Sequence, residues 1–238
     1  MISGTTDRNT LALIRELEKH GHKINTVYDI GANDGRWFKS YKPHLKDSAF
    51  IMFEANPKID FNPSIEPMIG SLKDRFFNQV LSDEDGKTVD FYILNDGLKK
   101  ENTGHSYYRE LTPAYTEGNS IKLKTKKLDT MITENLLPLP DFIKMDTQGA
   151  EVDIMNGGPT ALEHCKILVT EMPISRYNEG APKLSTYFDT LYDHGFIPSG
   201  VDHIAIRQGV FNQMDVVFVK KEIVQKIHNY KVVIWGSK

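Results

Sequence analysis

Apolar and polar positions fall into short blocks along this chain, and the period changes from block to block. Leu11, Ile14 and Leu17, with Leu13 beside them, recur at helical spacing, and Gly21 stands where a helix would end; this predicts a helix over about residues 8–20. Thr26-Val27-Tyr28-Asp29-Ile30 is a short apolar run that leads into Gly31-Ala32-Asn33-Asp34-Gly35, so a strand, a turn and a helix (about 35–44) follow. Ala49 to Glu54 reads as a second buried strand, with Pro57, Pro63 and Pro67 breaking the chain after it. Phe76 to Leu81 reads as a third strand. The turn signal Asp83-Glu84-Asp85-Gly86 then separates it from an alternating run, Thr88 to Leu94, which predicts a hairpin. Residues 95–119 are polar and show no period, as in a functional or disordered loop. Ile121 to Lys127 alternates again and puts Lys122, Lys124 and Lys126 on one face.

From Pro140 strand and helix alternate regularly. Phe142 to Asp146 reads as a strand, Gly149-Ala150-Glu151 opens a helix, Ile167 to Glu171 is a strand, and Leu184 to His194 is a helix closed by Gly195. Residues 196–207 and 215–220 read as a terminal strand pair. This rhythm predicts an α/β, doubly wound, Rossmann-like fold: a mostly parallel sheet with helices on both faces and an extra hairpin-and-loop insertion. No repeat, low-complexity tract or linker interrupts it, so residues 1–238 are expected to form one domain, with a core at about 24–220 and a tail at 221–238. In the tail, Ile223, Val224 and Ile227 keep helical spacing before Val232-Val233-Ile234-Trp235. Such an ending packs on the domain or on a second subunit, which leaves a homo-oligomer open.

Composition narrows the function classes. The net charge of −3 supplies no basic field for nucleic acid, and no basic patch with interleaved aromatics is present. The single cysteine, Cys165, precedes Ile167-Leu168-Val169 and reads as a buried core thiol rather than a nucleophile. The N-terminus has no basic start leading into an apolar stretch, and no run approaches the roughly 20 apolar residues of a membrane span. The expected setting is the cytoplasm.

The ends of the predicted parallel strands carry the candidate chemistry, because ligands of open α/β sheets bind beyond those ends. The first turn departs from the dinucleotide fingerprint: a G-x-G-x-x-G reading from Gly31 finds Asn33 and Arg36 where glycines would approach a pyrophosphate. S-adenosylmethionine has no phosphate and needs only enough glycine for its methionine and ribose to lie along the backbone. Asp29 can then reach its ammonium, directly or through water, and Glu54 can accept both ribose hydroxyls. Taken singly, the turn also fits an ordinary strand-to-helix connection, and Glu54 a surface carboxylate. Their order and spacing together favour the cofactor reading.

Val27 to Gly35, Phe53-Glu54-Ala55-Asn56-Pro57, Val80-Leu81-Ser82-Asp83 and above all Lys144-Met145-Asp146-Thr147-Gln148-Gly149-Ala150-Glu151 resemble the FkbM-type methyltransferases over about residues 24–220. Gly157-Gly158 and Asp215 to Val219 also fit. The resemblance implies a seven-stranded sheet with an antiparallel last strand, S-adenosylmethionine as cofactor, and O-methylation of a sugar, glycan or other small metabolite. Thr147-Gln148 departs from the family, where Val-Glu is commoner. The cofactor would lie among Asp29, Gly31, Ala32, Asn33, Gly35, Glu54, Ala55, Ser82 and Asp146.

An alcohol is a poor nucleophile while protonated, so the acceptor side needs a base or a divalent cation. Asp146 is the candidate base or metal ligand, with Glu171 assisting. Lys144, two residues before Asp146 on the same side of its strand, either tunes that carboxylate, contacts the acceptor or sits in a structural ion pair. Two acidic donors would suit Mg²⁺ but do not make a site. Glu151 is read as a helix-end partner for backbone amides. His105, Ser106, Tyr107, Tyr108 and Arg109 form either a lid over the acceptor or a surface loop. His203 is another possible base, and the lysine face is either solvated or suited to a phosphorylated acceptor. A binding or scaffold protein without turnover and a nucleic-acid methyltransferase are the competing functions.

Overall fold

The computed structural model describes residues 8–59, 74–93, 104–111, 120–207 and 209–228. Among these, ten strands run in chain order as β1 (Thr26–Ile30), β2 (Ala49–Glu54), β3 (Arg75–Asn78), β4 (Val80–Leu81), β5 (Thr88–Tyr92), β6 (Ser120–Lys126), β7 (Phe142–Met145), β8 (Ile167–Pro173), β9 (Phe196–Arg207) and β10 (Val210–Lys220). The helices are α1 (Arg8–Lys19), α2 (Arg36–Tyr41), α3 (Leu128–Glu134), α4 (Glu151–Asn156), α5 (Pro159–His164), α6 (Leu184–Asp193) and α7 (Lys221–His228).

Seven strands form one sheet in the order β3-β2-β1-β7-β8-β10-β9, and the first five run parallel. β10, the last strand in sequence, is antiparallel to both its neighbours. All five residues of β1 and all four of β7 are buried, as central strands covered on both faces must be. One apolar cluster joins Ile30, Met145, Leu168 and Phe218 to Met155 and Tyr187 on the helices of one face. A second joins Val27, Phe50, Val169 and Val217 to Ile14, Phe38 and Ile223 on the other. α1 reaches the far edge of the sheet, where Asp202 of β9 accepts hydrogen bonds from the backbone and hydroxyl of Thr10.

The insertion differs from its sequence reading. Phe76 to Leu81 is two strands, because the chain leaves the main sheet at Gln79, whose amide nitrogen donates to the Val80 and Lys124 carbonyls. Among the described residues, no hairpin joins the run at 76–81 to the run that begins at Thr88. β6 lies between β4 and β5, parallel to the first and antiparallel to the second. α3 was not foreseen from the sequence. β10 begins at Val210 instead of 215, its early part irregular at a shift between Phe211 and Gln213. Pro63, Pro67, Leu94, most of the loop at 95–119 and Val232 to Trp235 lie outside the described residues.

Candidate active site

β1 ends in a turn that its neighbours leave almost no room to change. Gly31 has φ +78°, and the amides of Gly31 and Ala32 both donate to the Phe53 carbonyl of β2. A Cβ on Gly31 would lie 1.9 Å from the backbone oxygen of Asp146. Glycine at this position lets the ends of β1 and β7 come together. Asn33 also takes a positive φ, +48°, and Gly35 begins α2 at φ +80°.

Glu54 completes the turn. It is buried, and its two carboxylate oxygens accept the backbone amides of Asn33 and Asn56, each at 2.8 Å. Burial raises the Glu54 pKa, and the two amides oppose that shift. Each oxygen keeps a further lone pair for a ligand hydroxyl.

Two adjoining cavities share Gly31, Glu54, His105 and Asp146. The first, about 430 Å³ with the open space at its mouth, has an apolar end where Phe53, Val80, Leu81, Phe91 and Ile154 meet. The second, about 400 Å³ on the same measure, adds Asn33, Gly104 and Gln148. The hydroxyl of Thr147, on the wall of the first cavity, is buried without a hydrogen-bond partner.

The segment 104–111 forms the outer wall. The phenols of Tyr107 and Tyr108 both donate to one carboxylate oxygen of Asp153 on α4, at 2.9 and 2.7 Å. The Asn178 amide donates to the Tyr108 carbonyl, and Arg109 pairs with Glu179. His105 sits inward, its Nδ1 2.9 Å from Nδ2 of Asn56. Because Asn56 Oδ1 accepts the Lys58 amide, its nitrogen is the donor towards His105. Nδ1 of the neutral ring is therefore the acceptor, and Nε2 carries the proton.

At the end of β7, Lys144 is buried and its Nζ donates to the Gly31 carbonyl at 3.0 Å. The same nitrogen lies 3.3 Å from Asp29 and 3.7 Å from Asp146. Burial works against the ammonium charge, but the Asp29 and Asp146 carboxylates outweigh it and raise the Lys144 pKa. Asp29 itself is wholly buried behind the turn, its carboxylate facing Lys144. Gln148, with φ +57°, uses one amide nitrogen to reach Asp146 Oδ1 and Glu171 Oε1, both at 2.9 Å. Glu171 is also met by the Tyr177 hydroxyl at 3.2 Å and by the Gln213 amide. Burial, then the charges of Asp146, Asp215 and Glu151, pushes the Glu171 carboxyl well above the ordinary carboxylate range. Glu151 turns back onto its own helix start, accepting the amides of Thr147 and Gly149 at 2.7 and 3.0 Å.

The structure thus brings Gly31, Asn33, Glu54, Ala55 and Asp146 to the cavity walls. Asp29, Ala32, Gly35, Ser82, Lys144 and Glu171 are not among the residues lining either cavity. Ser82 is buried against Tyr107, its hydroxyl 3.4 Å from the phenol. Gln148 and His105 contribute more to the wall than their sequence setting implied, and nothing in the local pattern pointed to Phe91 or Ile154. His203 lies away from these cavities, 4.0 Å from Asp215. Lys122 and Lys126 pair with Asp90 and Glu134. Cys165 is buried, its thiol pushed up to about 12 by desolvation, which suits a core position and no nucleophile. Among the described residues, no group of three or more His, Cys, Asp or Glu is placed to hold a metal ion, and no helix is long and apolar enough to cross a membrane.

Comparison with known proteins matches residues 29–198 to the model of the methyltransferase FkbM domain. A 2-O-methyltransferase, NoeI, from Sinorhizobium fredii is 28% identical over 187 residues, covering 74% of this chain and 76% of that protein. The crystal structure of a methyltransferase FkbM from Methylobacillus flagellatus superposes with a TM-score of 0.51 at 14% identity. That match covers 82% of this chain but only 44% of the longer one, and shows a shared fold.

Proposed function

Because this chain belongs to the FkbM methyltransferase family, we propose that it transfers a methyl group from S-adenosylmethionine to a hydroxyl of a small molecule, with a sugar or glycan as acceptor. The observation that carries this reading is Glu54, a buried carboxylate at the junction of two cavities, held by two backbone amides with lone pairs to spare for a ribose. The remaining walls fit the same cofactor. The apolar end of the first cavity suits an adenine ring, and the Thr147 hydroxyl is a buried polar group awaiting a partner. When bound there, S-adenosylmethionine supplies an electrophilic methyl group.

This chain's own residues do the rest. Asp146, on the wall of both cavities, accepts the proton of the acceptor hydroxyl. Gln148 fixes one of its oxygens, and the Lys144 ammonium lies 3.7 Å behind the other. The strap at 104–111 excludes water and brings a histidine, a serine and a tyrosine to the cavity, groups that suit a polyhydroxylated acceptor. The naming of the Sinorhizobium relative as a 2-O-methyltransferase favours oxygen as the site of methylation.

Labelled S-adenosylmethionine and a panel of sugars and glycosides test the reaction. Asp146→Asn is expected to lower transfer about a hundredfold or more while cofactor binding persists. Full turnover in that variant would remove Asp146 as the base. Cofactor binding without transfer to any hydroxyl would favour a binding protein over an enzyme.

A further inference from the structure

We propose that Gln148 sets how strongly this cleft prefers a cationic sulfonium over a neutral thioether, and so how readily the methylated product side lets go of its spent cofactor. The proposal rests on the cofactor reading above and concerns the same site.

Gln148 and Asp146 share the wall of the second cavity with Gly31, Asn33 and Glu54. Behind that wall the ionisable groups are mostly acids. Asp146 and Glu171 lie at the ends of neighbouring strands, Asp215 is paired with Glu171 across β8 and β10, and Glu151 sits under the turn. The cation among them, Lys144, already faces Asp29. Gln148 answers this with a neutral group that donates one hydrogen to an oxygen of each of two acid side chains. Both acids are thereby held in place and partly satisfied without any added charge. The backbone that carries it is fixed: Gln148 is left-handed, and the next residue, Gly149, has φ +103° with Ala181 packed 2.9 Å from where a Cβ would stand.

S-adenosylmethionine and S-adenosylhomocysteine differ by one methyl group and one positive charge at sulfur. The ratio of their affinities therefore reads the potential at that sulfur, and every contact common to both cancels. A unit charge about 4 Å away changes such a ratio about fivefold in bulk water and about a thousandfold at an effective dielectric of about 20, so about tenfold is the expectation for a site largely screened by solvent.

The test is calorimetric titration of wild type, Gln148→Glu and Gln148→Lys with both ligands. Gln148→Glu is expected to shift the ratio about tenfold towards S-adenosylmethionine, and Gln148→Lys about tenfold towards S-adenosylhomocysteine. The lysine variant guards against a glutamate that takes up a proton, because an ammonium between two acids stays charged. Variants that bind both ligands with the wild-type ratio would overturn the proposal and leave the cofactor reading standing. Wild-type protein that binds neither ligand would overturn the cofactor reading itself.

Discussion

Gly31→Ala is expected to abolish ligand binding and to lower the melting temperature by about 10 °C or more. Two separate effects add at this position. The residue sits at φ +78°, where any side chain is strained by roughly 1 kcal/mol or more. The new methyl would also stand 1.9 Å from the Asp146 carbonyl, well inside contact distance, and that oxygen belongs to backbone. A flexible side chain could move aside, but here the end of β7 must separate from the end of β1. Such a separation also pulls Asp146 from its cavity and the turn from Glu54. Thermal denaturation followed by circular dichroism reads the stability, and ligand titration reads the site. A variant that kept its melting temperature would show that the turn can relax.

Lys144→Met should cost about 3–5 kcal/mol of stability at neutral pH, the usual penalty for leaving a buried charge without its partner. Asp29 is wholly enclosed and faces that ammonium, and the Gly31 carbonyl would lose a donor as well. The loss has a pH signature. Burial already raises the Asp29 pKa, and Lys144 opposes that rise. In the variant the opposition is gone, so the folded pKa stands further above the unfolded one. The folded variant then binds more protons than its unfolded chain, and its stability increases as pH falls through that window. Chemical denaturation of Lys144→Met at pH 5 and pH 8 should therefore show a smaller deficit at the lower pH. The double variant Asp29→Asn/Lys144→Met should recover part of the loss. An equal deficit at both pH values would mean that Asp29 is not the stranded charge.

Both predictions concern a site whose frame was readable from the sequence and whose detail was not. β1, β2 and β7 announce themselves because central parallel strands are apolar throughout and end in turns rich in glycine or acid. Those ends carry Gly31, Glu54 and Asp146, and all three reach the cavities. The insertion was misread for a physical reason. Phe76 to Leu81 looks like one strand because apolar pairs flank Asn78 and Gln79, yet Gln79 passes the chain from one sheet to the other. Pairing in the small sheet depends on β6, which meets β4 and β5 from far along the chain (Val80 with Thr125, Asp90 with Lys122), and no local signal carries such a partner. Asp29 and Lys144 show the same limit. Sequence places an acid and a base near the turn, but only the fold decides that they face each other behind it. Gln148 stood out merely as a departure, and its bridge to two acids needs β7 and β8 side by side.

The central claim is that the cleft between the Gly31 turn, Glu54 and Asp146 holds S-adenosylmethionine. Calorimetric titration of the purified protein with S-adenosylmethionine, its demethylated product and NAD tests this most directly, with Glu54→Ala run beside wild type. Saturable binding of both sulfur ligands, absence of NAD binding, and an affinity about a hundredfold weaker in Glu54→Ala are the predicted result. Well-folded wild-type protein that binds neither sulfur ligand, or a Glu54→Ala variant that binds as tightly as wild type, would contradict it.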